Sequence, residues 1–87
     1  MKLSVVIVAW NEGDEVAKTI KSVKASAPEA EIIVVDDGST DGSCDSLDVD
    51  YCIRNKKPYG VGWSRNIGWK ATSGDVCIFL DAHMAFE

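Results

Sequence analysis

Asp81 and His83, separated by a single residue near the end of the segment FLDAHMAFE, are the pair in this chain best suited to hold a cation. In an extended segment, residues i and i+2 point to the same side, so the carboxylate and the imidazole can meet one ion or one sugar phosphate together. A mixed oxygen and nitrogen donor set suits Mn2+ better than Mg2+. Such a cation could bridge an acidic protein to a diphosphate and stabilise the charge on a leaving phosphate. The same two residues also fit a solvated carboxylate beside an exposed histidine. Asp36 and Asp37 close another apolar run, EIIVVDD, where an acid can accept hydrogen bonds from the base or ribose of a nucleoside. They fit equally well as the start of the turn DGST, since Asp and Ser are turn formers. Arg65 could face a nucleotide or its phosphates, or make a surface ion pair, and Arg54, Lys56 and Lys57 read as a solvated loop. Trp10 could flank a base at the mouth of the first loop, although Trp10, Trp63 and Trp69 are all assigned to packing.

These side chains need elements to place them. LSVVIVAW, residues 3–10, is a β-branched and apolar run short enough to be a strand covered on both faces. The next segment repeats Val16, Ile20 and Val23 among Glu15, Lys18, Lys21 and Lys24, which predicts a helix laid on a sheet. Asn11 is its expected N-cap, with Asp14 three positions on. Pro28 ends that helix, and residues 32–35 form a second buried strand. DGSTDGSCDSLDVD reads as a loop and YCIR as a brief third strand. Pro58 with Gly60 and Gly62 introduces a second helix, whose apolar row is Trp63, Ile67 and Ala71 and which Gly74 closes. VCIFL, residues 76–80, is the last buried strand. The order β-α-β-β-α-β predicts an α/β domain with a mainly parallel sheet flanked by helices, joined by right-handed crossovers. In such sheets ligands sit beyond the carboxyl ends of the strands, which singles out the loops AWNEGD, DDGSTD and DAH.

With 87 residues and 46% hydrophobic content, the chain has room for one small domain with a thin core. Its formal net charge of -5 argues against bulk affinity for nucleic acid. No apolar run reaches the roughly 18 to 20 residues of a membrane span, and no signal-peptide cleavage site follows the first strand, so the expected location is cytoplasmic. Three cysteines without C-x-x-C spacing predict neither a disulfide framework nor a zinc site. A dinucleotide site would need G-x-G-x-x-G after the first strand, where AWNEGDE offers one glycine. A phosphoacceptor receiver domain would place its acidic pair after the first strand.

Taken together, LSVVIVAWNEGDEVAKTIKSV, EIIVVDDGSTDGS and GVGWSRNIGWKATSGDVCIFLDAH resemble the N-terminal, nucleotide-binding half of a GT-A-fold glycosyltransferase of the family 2 type. GDVCIFLDAH is also similar to a stretch of polypeptide N-acetylgalactosaminyltransferases, where Asp-x-His replaces Asp-x-Asp. The resemblance covers nearly the whole chain. It implies a partial GT-A fold and a nucleotide-diphosphate sugar, a UDP-sugar foremost, as partner. It implies that Ala9, Trp10, Asn11 and Glu12 border the base and that Asp36 hydrogen-bonds it. Asp37 is a further contact, Arg65 lies near the nucleotide, and Asp81 and His83 hold ribose and a divalent metal. Because the acceptor site and its base follow Asp-x-His in that family, residues 1–87 are expected to be a single donor-binding domain truncated before the acceptor half. No catalytic residue is assigned. The alternative is a non-catalytic nucleotide-binding or interaction module derived from the same fold. A half-domain would expose a sheet edge, so homo-oligomers are also expected.

Overall fold

The computed structural model describes residues 2–45 and 47–82. His83, half of the expected metal pair, lies outside them. Six elements follow one another: β1 (Leu3–Ala9), α1 (Glu15–Ser26), β2 (Glu31–Asp36), β3 (Tyr51–Arg54), α2 (Val61–Ala71) and β4 (Val76–Asp81). The strands form one parallel sheet in the order β3-β2-β1-β4. Each expected strand is present, with ends within about a residue of the sequence reading, but β4, expected to be buried, is an edge strand on which only Leu80 is buried.

The β-branched composition of β1 and β2 is explained by their position. β1 is central and buried from Ser4 onward, and β2 is buried throughout. Alternate side chains face opposite layers. Val5, Ile7 and Ala9 pack with Val16, Ile20 and Val23 of α1 and with Ile32, Val34 and Leu80. Val6, Ile33 and Val35 face the other way, with Ile53, Ala71 and Cys77 around them. Fully burying each such valine or isoleucine contributes roughly 1.5–3 kcal/mol, so this two-sided strand pair is the main source of cohesion.

α2 corrects the sequence reading of its own face. Ser64 and Gly68 are its buried residues, whereas Trp63 and Trp69 are each 54% exposed and Trp10 is 51% exposed. None of the three tryptophans is a packing residue here. The physical reason is how near the helix comes to the sheet: a Cβ on Gly68 would lie 2.4 Å from Val6 Cγ1 and 3.1 Å from Val35 Cγ2. Small side chains at the contact permit that approach, and bulky ones are turned outward.

At the amino end of the sheet, Glu31 closes the fold. Its carboxylate accepts hydrogen bonds from Ser4 Oγ at 2.8 Å, Ser73 N at 2.9 Å and Ser73 Oγ at 2.8 Å, with Lys2 Nζ at 3.6 Å. Ser4 Oγ accepts in turn from Gly74 N at 2.9 Å. This network ties β1 and β2 to the turn between α2 and β4, which leaves the opposite end of the sheet free to carry loops.

Candidate functional site

At the carboxyl end, parallel register brings the ends of three strands level: Val8 pairs with Val35 on one side and with Asp81 on the other. The chain leaves β1 toward β2 but reaches β4 on the opposite side of β1. Strand order therefore reverses at β1, and a crevice opens between loops that depart in different directions. An open pocket of about 390 Å³ fills it, lined by Val8, Trp10, Glu12, Asp37, Pro58, Gly60, Val61 and Asp81. That volume falls in the range of small-molecule sites.

Asn11 holds two of these loops together. Its backbone is left-handed, with φ 48°, and its Oδ1 accepts from Thr40 N at 2.7 Å and Asp41 N at 3.2 Å, while its own N–H donates to Ser39 Oγ at 2.9 Å. Gly13 N donates to Asp41 Oδ2 at 3.2 Å. Asn11 is therefore not the N-cap of α1; Asp14 takes that place without a side-chain capping bond. An acceptor that would have capped a helix instead fastens the loop after β1 to the loop after β2.

The two aspartates after β2 have different surroundings. Asp36 accepts from Ser39 N at 2.8 Å and lies 3.7 Å from Arg54 Nε, away from the pocket lining. Asp37 reaches the pocket. Its Oδ1 accepts from Asn55 Nδ2 at 2.9 Å and Tyr59 N at 2.8 Å, and its Oδ2 from Gly60 N at 3.0 Å. Burial pushes the Asp37 carboxyl up, but the donors from Tyr59, Asn55 and Gly60 outweigh it and hold the group below the ordinary carboxylate range. The segment 55–60 is thus clamped against the end of β2, closely enough that a Cβ on Gly38 would lie 2.7 Å from the Lys57 carbonyl carbon. Gly60 itself, at φ 101°, starts α2. Asp37 thus binds the N–H groups of Tyr59 and Gly60, just ahead of the first turn of α2.

The third wall is Asp81. Arg65 Nη2 stands 3.8 Å from Asp81 Oδ1, with its guanidinium 6.0 Å from the centre of the Phe79 ring. Ala82 N donates to Val8 O at 3.1 Å, and the Thr19 hydroxyl donates to Ala82 O, fixing the backbone beyond Asp81 to both β1 and α1. Glu12, Asp37 and Asp81 surround one pocket, and such a set of like charges favours a cation. Among the described residues, no three His, Cys, Asp or Glu side chains are grouped tightly enough to cage one. Asp81 is a carboxylate on this wall that could donate to a cation, and hard divalent ions on nucleotides complete their shell with phosphate oxygens and water.

Of the expected site residues, Trp10, Glu12, Asp37 and Asp81 are together on the pocket wall. Ala9 faces the α1 core, Asn11 and Asp36 hold the loops, and Arg65 borders Asp81. Val8, Pro58 and Val61 line the pocket without having been singled out. Their only sequence signal was adjacency to a strand end and to the Pro-Gly start of α2. No helix among the described residues is long and apolar enough to cross a membrane.

The family described as Glycosyl transferase family 2 matches residues 4–87. The chain is 38% identical over 90 residues to an uncharacterized glycosyltransferase of Nostoc sp., covering 94% of this chain and 28% of that protein. It is 35% identical over 95 residues to the undecaprenyl-phosphate 4-deoxy-4-formamido-L-arabinose transferase of Proteus mirabilis, covering 95% of this chain and 29% of that protein. The chain thus spans less than a third of the length of these relatives. Among solved structures, a mannosyltransferase from Pyrobaculum calidifontis in complex with GDP-Man and Mn2+ superposes with TM-score 0.86 at 18% identity, over 98% of this chain and 28% of that one.

Proposed function

The chain belongs to glycosyl transferase family 2 and has the GT-A α/β fold; from that premise we propose that residues 1–87 form one donor-binding unit for a nucleotide-diphosphate sugar. The observation that carries this reading is the meeting of Trp10, Glu12, Asp37 and Asp81 around one pocket at the reversal of strand order. Trp10, half-exposed, flanks the base. Asp37 receives a base N–H, a role that passes to it from Asp36 because Asp37 is the one on the wall. Asp81, with His83, holds a divalent cation on the diphosphate, Mn2+ before Mg2+, and that cation neutralises phosphate charge. Arg65 supplies the second positive group beside it. UDP-sugars are the favoured donors. The solved neighbour's GDP-Man and Mn2+ support the ligand class.

Calorimetric titration of the chain with UDP, GDP and UDP-sugars, with and without Mn2+, tests this. Metal-dependent binding is expected, with UDP-sugars tightest, and Asp81→Ala and His83→Ala should each weaken it by at least about tenfold, the scale on which changes in a metal's ligand shell act. Metal-independent binding that both variants retain would remove the cation role. No binding of any nucleotide would leave the second reading, a module that keeps the fold for interaction. Val76 and Phe79 are exposed on β4, the edge strand, so self-association belongs to the same proposal, and sedimentation velocity reads it directly.

A further inference from the structure

The outer side of α2 and the segment before it have a charge opposite to that of the whole chain. Between Asp50 and Asp75 there is no acidic residue and there are five basic ones, in a protein of net charge -5. Arg54 faces Asp36 and Asp45, and Arg65 faces Asp81. Lys56, Lys57 and Lys70 are exposed, and among the described residues no carboxylate comes within ion-pair distance of them. Elsewhere on the surface Lys2, Lys18 and Lys24 have such a partner, and Lys21 stands alone on α1 without one among the described residues.

Aromatic side chains sit among these free lysines. Lys57 Nζ lies 5.9 Å from the Tyr59 ring centre, and the Tyr59 and Trp63 rings are 5.6 Å apart. Trp63, Asn66 and Lys70 follow at i, i+3 and i+7, one helical face, and Trp69 is next to it. Tyr59, Trp63 and Trp69 are all exposed. Holding large apolar rings in water is unfavourable unless something covers them.

We propose that this lysine and aromatic row docks the protein on an anionic lipid surface. Tyrosine and tryptophan partition to the headgroup level, where each has an apolar body and a polar tip, and nearby lysines are drawn to negative lipids. A second copy would set lysine against lysine. A long nucleic acid would meet Glu12, Asp37 and Asp81 across the rim formed by Pro58, Gly60 and Val61. A flat bilayer needs only residues 56–59 and the outer side of α2. Docked this way, the pocket mouth opens next to the membrane, whatever ligand it holds.

Co-sedimentation with vesicles of phosphatidylcholine alone, and of phosphatidylcholine mixed with phosphatidylglycerol, tests the proposal, with tryptophan emission as a second readout. Binding to the mixed vesicles only, with a blue shift and weakening by salt, is expected. Each lysine near such a surface is worth about fivefold in affinity, so losing three charges costs about a hundredfold and the reversal K56E/K57E/K70E should cost at least that. Lys21→Glu, one such change on an exposed residue of α1, should cost less than the roughly fivefold that a single lysine at the surface is worth. Trp63→Ala with Trp69→Ala should weaken binding and remove most of the blue shift. Equal binding to both vesicle types, no binding, or a triple variant like the parent would overturn the proposal. So would tighter binding to a mixed-sequence oligonucleotide than to the vesicles.

Discussion

Glu31 is a carboxylate under tension between burial and hydrogen bonding, and hydrogen bonding wins. The Ser73 N–H leads, followed by the hydroxyls of Ser73 and Ser4 and by Lys2; against the cost of burial they lower its pKa from 4.5 to about 2. A folded-state pKa below the unfolded value stabilises the protein above about pH 4.5, and that stability is lost as pH falls toward 2. Urea denaturation across this window should show the parent losing stability while Glu31→Gln, already weakened by about 1–3 kcal/mol at neutral pH, loses less. A parallel decline of both proteins would assign the acid sensitivity to other carboxylates. Nothing local in the sequence marks Glu31, because its partners at Ser4 and Ser73 come from distant segments. Asn11 is the converse case: its type was informative and its partner was not. Capping is a rule about the next three residues, and it has no view of Thr40 and Asp41, which supply the N–H groups Asn11 actually binds. Asp81 and Asp37 were legible as neighbours on the pocket wall because a parallel sheet sends every strand end to the same side.

Gly68 governs how the second layer fits. An alanine there would place its Cβ 2.4 Å from a Val6 methyl, a distance that forces helix or strand to shift. Gly68→Ala is expected to destabilise by about 1–3 kcal/mol despite alanine's better helix propensity. Val6→Ala in the same chain should recover part of that loss, because it removes the methyl group in the way; additive losses in the double variant would show that the clash is not the cause. β1, β2 and α1 could be read because their burial is carried by branched apolar side chains in recognisable periods, whereas β3 and β4 are edges on which only Leu80 is buried. The α2 face could not, since its contact is made by Ser64 and Gly68, and hydrophobic periodicity registers large residues rather than close approach. The row Trp63, Ile67, Ala71 marked a helix correctly but set its inner face partly toward solvent.

Over the whole molecule, the two ends of the sheet have separate tasks: the Glu31 network at one end holds layers together, and the loops at the other form the pocket. Ligand and cation should therefore stabilise the fold by mass action without altering its core. With Mn2+ and nucleotide at about a hundred times Kd, the expected gain is about 2.7 kcal/mol. Thermal melts should show a rise of roughly 10–20 °C, abolished by chelation in the parent and absent in Asp81→Ala. A rise that survives chelation would separate the nucleotide from the metal. The strand order also bears on how the chain acquires its structure. β1 pairs with β2 at Val5 and Ile32, but its other edge waits for β4, where Leu3 meets Val76. No hairpin shortens that search, and non-local pairing of this kind slows folding. Until β4 arrives, an early intermediate exposes an unpaired edge of the most apolar strand, which invites aggregation. It also lacks Asp81 beside Val8, so a refolding chain gains the third wall of its pocket in the same step that completes the sheet.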